Sequence, residues 1–139
     1  MSEDKFLAEA RELSQMMIDA ADFSKDIFAN IAQELNVPVS LARAICLLET
    51  PSPMTELAAR LSCDKSYITS LADQMEGLGL INRVPGADRR TKLLELTPKG
   101  RAVRKSLGEK VAEFSPVMVA LNAAERQTFE KLLAKIVKS

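Results

Sequence analysis

The sequence predicts a mainly α-helical fold carrying one small β-hairpin, and two observations predict it. Apolar residues recur at the 3.6-residue helical period through most of the 139 residues. That period breaks where Leu80-Ile81-Asn82-Arg83-Val84 and Lys92-Leu93-Leu94-Glu95-Leu96 flank a turn cluster, Pro85-Gly86-Ala87-Asp88-Arg89-Arg90-Thr91. Two short β-prone runs around a loop bearing Gly and Asp read as a hairpin.

The segment just before the hairpin defines the architecture. Thr55-Glu56-Leu57-Ala58-Ala59-Arg60-Leu61 is a short amphipathic helix, and Ser62-Cys63 is a tight connection. The helix that opens at Asp64 places Ile68, Leu71, Ala72 and Met75 on one buried stripe. Its outward residues are Lys65, Ser66, Thr69, Ser70, Asp73 and Gln74, with Tyr67 at the border. Two short helices joined by a turn, the second with small hydrogen-bonding side chains outward, form a helix-turn-helix pattern. Gly79 supplies a left-handed stop, and a hairpin with two arginines at its tip follows at once. The combination is a winged helix-turn-helix.

Met54-Thr55-Glu56-Leu57-Ala58, Cys63-Asp64-Lys65-Ser66-Tyr67-Ile68-Thr69, Leu78-Gly79-Leu80-Ile81, Asp88-Arg89-Arg90 and Leu96-Thr97-Pro98-Lys99-Gly100 occur in one order. In that order they resemble the MarR-type transcriptional regulators, and the resemblance covers nearly the whole chain. The segment Pro85-Gly86-Ala87-Asp88 is about a residue shorter than the family's commonest wing. The resemblance implies a dimer that binds double-stranded DNA, more often as a repressor than as an activator. It also implies that a small aromatic or phenolic effector can bind between the dimer layer and the DNA-binding lobe.

The flanking segments follow in chain order. Phe6, Leu7, Ala10, Leu13, Met17, Ala20, Ile27, Phe28, Ile31 and Leu35 trace one long amphipathic helix ending near Asn36 and Pro38. Ser40 is read as capping the next helix, which runs to Leu48. Thr50-Pro51-Ser52-Pro53 is a rigid break, with Ser52 read as an N-cap and Pro53 at the first helical position. Thr97-Pro98 restarts helix, with Val103, Leu107, Val111 and Phe114 on its apolar face, and Ser115-Pro116 ends it. Asn122-Ala123-Ala124-Glu125 comes close to a capping box ahead of a last stripe. The expected organisation is a single unit, 1–139. Residues 1–36 and 116–139 form dimerisation helices, 40–97 the winged helix-turn-helix lobe, and 98–115 a connecting helix. The apolar surplus at both ends, carried by Phe6, Leu7, Leu13, Phe129, Leu132, Leu133 and Ile136, asks for a second copy of the chain. An intrachain three-helix core is the alternative.

Formal net charge is zero, but its distribution is uneven. Residues 82–105 hold eight Lys/Arg against two acids, net +6, whereas residues 1–36 hold three against eight, net −5. Affinity for DNA follows local phosphate neutralisation rather than the global sum. The Lys99–Lys105 part of the basic stretch reads equally well as a solvated helix face. With no histidine in the chain, Ser/His/Asp and Cys/His catalysis and histidine-bearing metal sites are excluded. Cys46 and Cys63 form no CxxC and read first as packing residues. Aromatics are few, so the core is expected to be aliphatic and methionine-rich. No apolar stretch approaches the ~20 residues of a membrane span. Nor does the N-terminus resemble a signal peptide. The expectation is a soluble, cytoplasmic protein without catalytic residues, metal or cofactor.

The winged helix-turn-helix reading assigns roles. Asp64 caps the recognition helix. Ser66, Tyr67, Thr69 and Ser70 face base edges in the major groove, although the Tyr67 ring could pack under the helix instead. Arg89 and Arg90 at the wing tip enter the minor groove. Ser52, Thr55, Lys65, Arg83 and Lys92 meet phosphates. The family's Asp-x-Arg spacing implies that Asp88 pairs with an arginine and supports the wing. Met17, Phe23, Ile45 and Leu48 are candidates to line an effector pocket and equally candidates for ordinary core. The rival from another class is a protein–protein interaction module without specific DNA binding, which would have little need for two arginines on a turn. Acid pairs one helical turn apart, such as Asp22 and Asp26, lie on a solvated face and do not point to an enzyme.

Overall fold

All of the long helices expected from periodicity form, and one strand appears that the periodicity did not foretell. In the computed structural model, residues 3–88 and 90–138 are described. The elements run α1 (Glu3–Glu34), α2 (Val39–Leu47), β1 (Ser52–Pro53), α3 (Met54–Leu61), α4 (Lys65–Gly77), β2 (Ile81–Pro85) and β3 (Lys92–Leu96). Helices α5 (Pro98–Phe114), α6 (Pro116–Ala120) and α7 (Ala123–Lys138) complete the chain. Two compact units result, one of Ile31–Lys110 and one of Met1–Asn30 with Val111–Ser139.

The unit of Ile31–Lys110 holds the core. Leu41, Ile45, Leu48, Leu57, Ile68, Met75, Ile81, Leu94 and Leu107 are its fully buried large side chains. The core is aliphatic, as composition required, but Met75 is its only methionine among the described residues. Met16, Met17 and Met118 are exposed instead. The sheet is antiparallel in the order β1-β3-β2, with Ile81 opposite Leu96 and Pro85 opposite Lys92. Ser52 and Pro53 pair with Leu94 and Leu93, so they extend the sheet rather than open α3. Helix α3 begins one residue later, at Met54, with Pro53 in the N-cap position. Helix α2 likewise begins at Val39, and Ser40 lies inside it with Pro38 as N-cap. In both places proline pre-sets the extended backbone that precedes a helix.

Helix ends follow local chemistry. After α1, the amide of Val37 donates to Ala32 O at 2.9 Å and that of Asn36 to Gln33 O at 3.0 Å. Asn36 itself takes a φ of 57°, the left-handed stop that Asn tolerates. After α4 the same two bonds recur, Leu80 N–H to Met75 O at 2.9 Å and Gly79 N–H to Glu76 O at 3.0 Å. Gly79 sits at a φ of 74°, where its missing Cβ removes the strain. Helix α7 opens with the expected capping box: Asn122 N–H donates to Glu125 Oε1 and Glu125 N–H to Asn122 Oδ1, both at 2.9 Å.

The other unit is unlike the first. No described residue of 3–30 or 111–138 is buried, although Phe6, Leu7, Leu13, Leu132, Leu133 and Ile136 are large and apolar.

Candidate nucleic-acid interface

Helix α4 is held from both ends and from below. Asp64 caps it by accepting from the Tyr67 amide at 2.7 Å, the bond to the third helical residue that a good N-cap makes. Ile68, Leu71, Ala72 and Met75 are buried beneath it, which is the predicted stripe. The opposite face leaves Lys65, Ser66, Tyr67, Ser70, Asp73 and Gln74 exposed and Thr69 half-buried. Tyr67 is 48% exposed, so its ring does not pack under the helix. Thr69 Oγ1 donates back to Lys65 O at 2.8 Å. Its proton is therefore spent locally, and the hydroxyl faces outward as an acceptor beside its methyl.

The far end of α4 is tied to α5 by the segment Thr97-Pro98-Lys99-Gly100. Thr97 Oγ1 donates to Gly79 O at 2.6 Å and accepts from the Gly100 amide at 3.0 Å. The Thr97 amide donates to Leu80 O at 3.0 Å, and Lys99 Nζ donates to Leu78 O at 2.9 Å. A Cβ on Gly100 would lie 2.2 Å from Leu80 O, so only glycine permits this approach. The Leu-Thr-x-x-Gly pattern thus closes the reading helix rather than reading anything itself.

On the wing, the roles divide differently from the expectation. Arg83 on β2 points to α4, where Nη2 meets Asp73 Oδ1 at 2.5 Å and Nε lies 4.0 Å from Glu76 Oε2. Its side chain is 30% exposed. It is a brace between wing and reading helix, not a free cation facing phosphate. Asp88 Oδ1 accepts from the Arg90 amide at 3.1 Å, and the Thr91 amide donates to Asp88 O at 3.0 Å. Asp88 therefore shapes the turn through backbone bonds. No ion pair joins it to a guanidinium among the described residues. Gly86 N–H closes the loop on Thr91 O at 2.8 Å. Arg90 and Lys92 are exposed, and Arg89 lies outside the described residues.

The basic stretch is narrower than its charge count. Arg83, Lys99, Arg101 and Arg104 have internal partners: Arg101 pairs with Glu95 at 3.6 Å, and Arg104 Nε donates to Cys46 O at 3.4 Å. Arg90, Lys92 and Lys105 are exposed and enter no ion pair among the described residues. Of the two hydroxyls assigned to phosphate, Thr55 is exposed on the first turn of α3. Ser52 is 8% exposed and donates to Thr50 O at 3.0 Å, so its hydroxyl is turned into the protein.

Of the four pocket candidates, Ile45 and Leu48 are core, whereas Met17 and Phe23 are exposed in the other unit. Phe129 is half-buried, and the other six dimerisation candidates are exposed. Burial raises the Cys46 thiol pKa, and the nearby Arg104 charge offsets this only in part, so the thiol stays protonated near neutrality. Among the described residues no cluster of three or more His, Cys, Asp or Glu could hold a metal ion. No helix is long and apolar enough to cross a membrane. One exposed cation escaped the sequence argument. Arg43 on α2 lines a cleft with Tyr67, and its only sequence signal was a charge inside an otherwise apolar run.

Comparison with known proteins places the fold among solved regulators. The MarR family profile matches residues 45–92, which run from within α2 to the first residue of β3. The transcriptional regulator BldR from Sulfolobus solfataricus superposes with a TM-score of 0.76 at 26% identity, over 100% of both chains. Residues 45–92 therefore resemble the MarR family, and the whole chain shares the fold of a solved regulator. Wild-type MarR from E. coli in its apo form has the same fold, with a TM-score of 0.73 at 22% identity, over 89% of this chain and 95% of that one. A mutant MarR from E. coli complexed with operator DNA gives 0.72 at 22% identity, over 92% and 95%. No curated protein matches the sequence. The chain thus has the winged helix-turn-helix fold of these solved regulators, and its MarR-like segment contains the α3–α4 pair and most of the hairpin.

Proposed function

We propose that the chain acts as a homodimeric repressor that reads a near-palindromic operator. The observation that carries this is the outward face of α4, where Lys65, Ser66, Tyr67, Thr69 and Ser70 surround a capped helix start beside a wing bearing Arg90. In this reading Ser66, Tyr67, Thr69 and Ser70 contact base edges, and Lys65, Thr55 and Lys92 meet phosphates. Arg90 enters the minor groove together with Arg89. A second copy covers Phe6, Leu7, Leu13, Leu132, Leu133 and Ile136, and the pair presents two α4 helices about one DNA turn apart, ~34 Å. The structure of the E. coli relative with operator DNA supports the same mode. Release by a small aromatic or phenolic effector belongs to this reading, with Met17 and Phe23 as the accessible apolar candidates.

The test is fluorescence anisotropy against a labelled duplex from immediately upstream of the gene, with an unrelated duplex as control, over a salt series. Tight binding to the upstream duplex alone, steeply weakened by salt, is expected. Absence of binding to either duplex at low salt would overturn the proposal.

A further inference from the structure

The DNA contacts assigned so far lie on α3, α4 and the wing. A cleft of about 190 Å³ opens at the head of α4, lined by Ser40, Arg43, Leu61, Cys63 and Tyr67. Tyr67 is one of the base-reading candidates, and Cys63 immediately precedes the N-cap Asp64. A duplex whose major groove receives the start of α4 therefore lies beside this cleft. Arg43 is exposed and enters no ion pair among the described residues. It contrasts with Arg60, whose Nη1 donates to Leu47 O at 3.2 Å, and with Arg83, which is committed to α4 carboxylates. A guanidinium offers a fork of donors suited to phosphate oxygens. Ser40 and Tyr67, both hydroxyl-bearing residues, line the same cleft, and none of its lining residues is acidic.

We infer that this cleft seats a backbone phosphate of the bound duplex, with Arg43 as its cationic anchor and the Ser40 and Tyr67 hydroxyls as further donors. The inference rests on the DNA-binding reading above. It adds α2 to the interface and gives Tyr67 a double role, with its ring toward the bases and its hydroxyl toward the backbone. A phosphate anchor fixes register without carrying sequence information. Arg43 therefore contributes equally to operator and non-operator DNA.

The test compares wild type, Arg43→Gln and, as a charge-matched control on α1, Arg11→Gln, with circular dichroism confirming the fold of each. Labelled upstream and scrambled duplexes are titrated by anisotropy across a salt series. Arg43→Gln is expected to weaken both duplexes by a similar factor, roughly three- to tenfold, and to lower the slope of log affinity against log salt by about 1. Arg11→Gln should leave the slope unchanged. A second arm replaces single phosphates by neutral methylphosphonates: one position should weaken wild type while leaving Arg43→Gln unaffected. An unchanged affinity and slope for Arg43→Gln, with wild type binding normally, would overturn the phosphate seat alone. Weakening confined to the upstream duplex would overturn it in favour of a base contact. Failure of wild type to bind any duplex would remove the DNA-binding reading and this inference with it.

Discussion

Single residues set the geometry of the reading helix, and substitutions at Gly100 and Ser62 measure how much. Gly100 approaches Leu80 O so closely that a Cβ would lie 2.2 Å away. Gly100→Ala should cost about 3 kcal/mol or more, because backbone rather than a flexible side chain must move. Urea unfolding of the two proteins gives that difference directly. Ser62 takes a left-handed φ of 53° between α3 and α4. Ser62→Gly should therefore stabilise, by up to about 1 kcal/mol, the relieved left-handed strain exceeding the added unfolded-chain entropy; a fall in the urea midpoint would refute this. On the wing, Arg90→Ala should weaken operator binding more than Ser70→Ala, since a minor-groove guanidinium contributes more than one hydroxyl. A larger loss for Ser70→Ala would contradict that ranking. The sequence was informative where one side chain has one strong local option. Asp64, Gly79 and Asn122 cap or stop their helices as read. It was misleading for Ser52 and Arg83. Nothing local says that Ser52 will pair across a sheet, or that Arg83 will find carboxylates seven and ten residues upstream on α4.

At the scale of elements, the wing and α4 act as one body because Arg83 joins them. Its pair with Asp73 is partly exposed, so by itself it is worth no more than about 1 kcal/mol of stability. Its larger effect should be on orientation. Arg83→Ala is expected to weaken operator binding while leaving the salt slope unchanged, since the guanidinium faces carboxylates rather than phosphates. A slope lower by about 1 would restore the role of phosphate contact. Strand β1 shows why element boundaries were harder to read than element types. Two residues, Ser52 and Pro53, are too few to show an alternating pattern, and their strand character comes entirely from Leu93 and Leu94. The long helices were legible because 3.6-residue periodicity needs only length, and α1 supplies 32 residues of it.

At the scale of the molecule, the two units differ in what supports them. The unit of Ile31–Lys110 contains every buried residue among those described, while Met1–Asn30 with Val111–Ser139 contains none. Exposed Phe6, at 64%, and Val137, at 79%, illustrate apolar surface without a cover. If a second copy supplies that cover, folding and association are one equilibrium. The midpoint of thermal unfolding should then rise with protein concentration, each tenfold step being worth about 1.4 kcal/mol. Leu132→Lys should abolish this dependence and yield a monomer in sedimentation. A midpoint independent of concentration in the wild type would point to a self-sufficient three-helix core. The surplus of apolar stripe was visible in the sequence, but its destination was not, because periodicity reports that a face must be covered and not by what.

The knot around Thr97 has a mechanical meaning. One hydroxyl receives the first turn of α5 and holds the Gly79 carbonyl just beyond α4, while Gly100 seats α5 directly on that backbone. A joint made of short bonds and a missing side chain has no slack. The start of α5 and the end of α4 thus meet through backbone, hydroxyl and a bare glycine, with no side chain between them to repack.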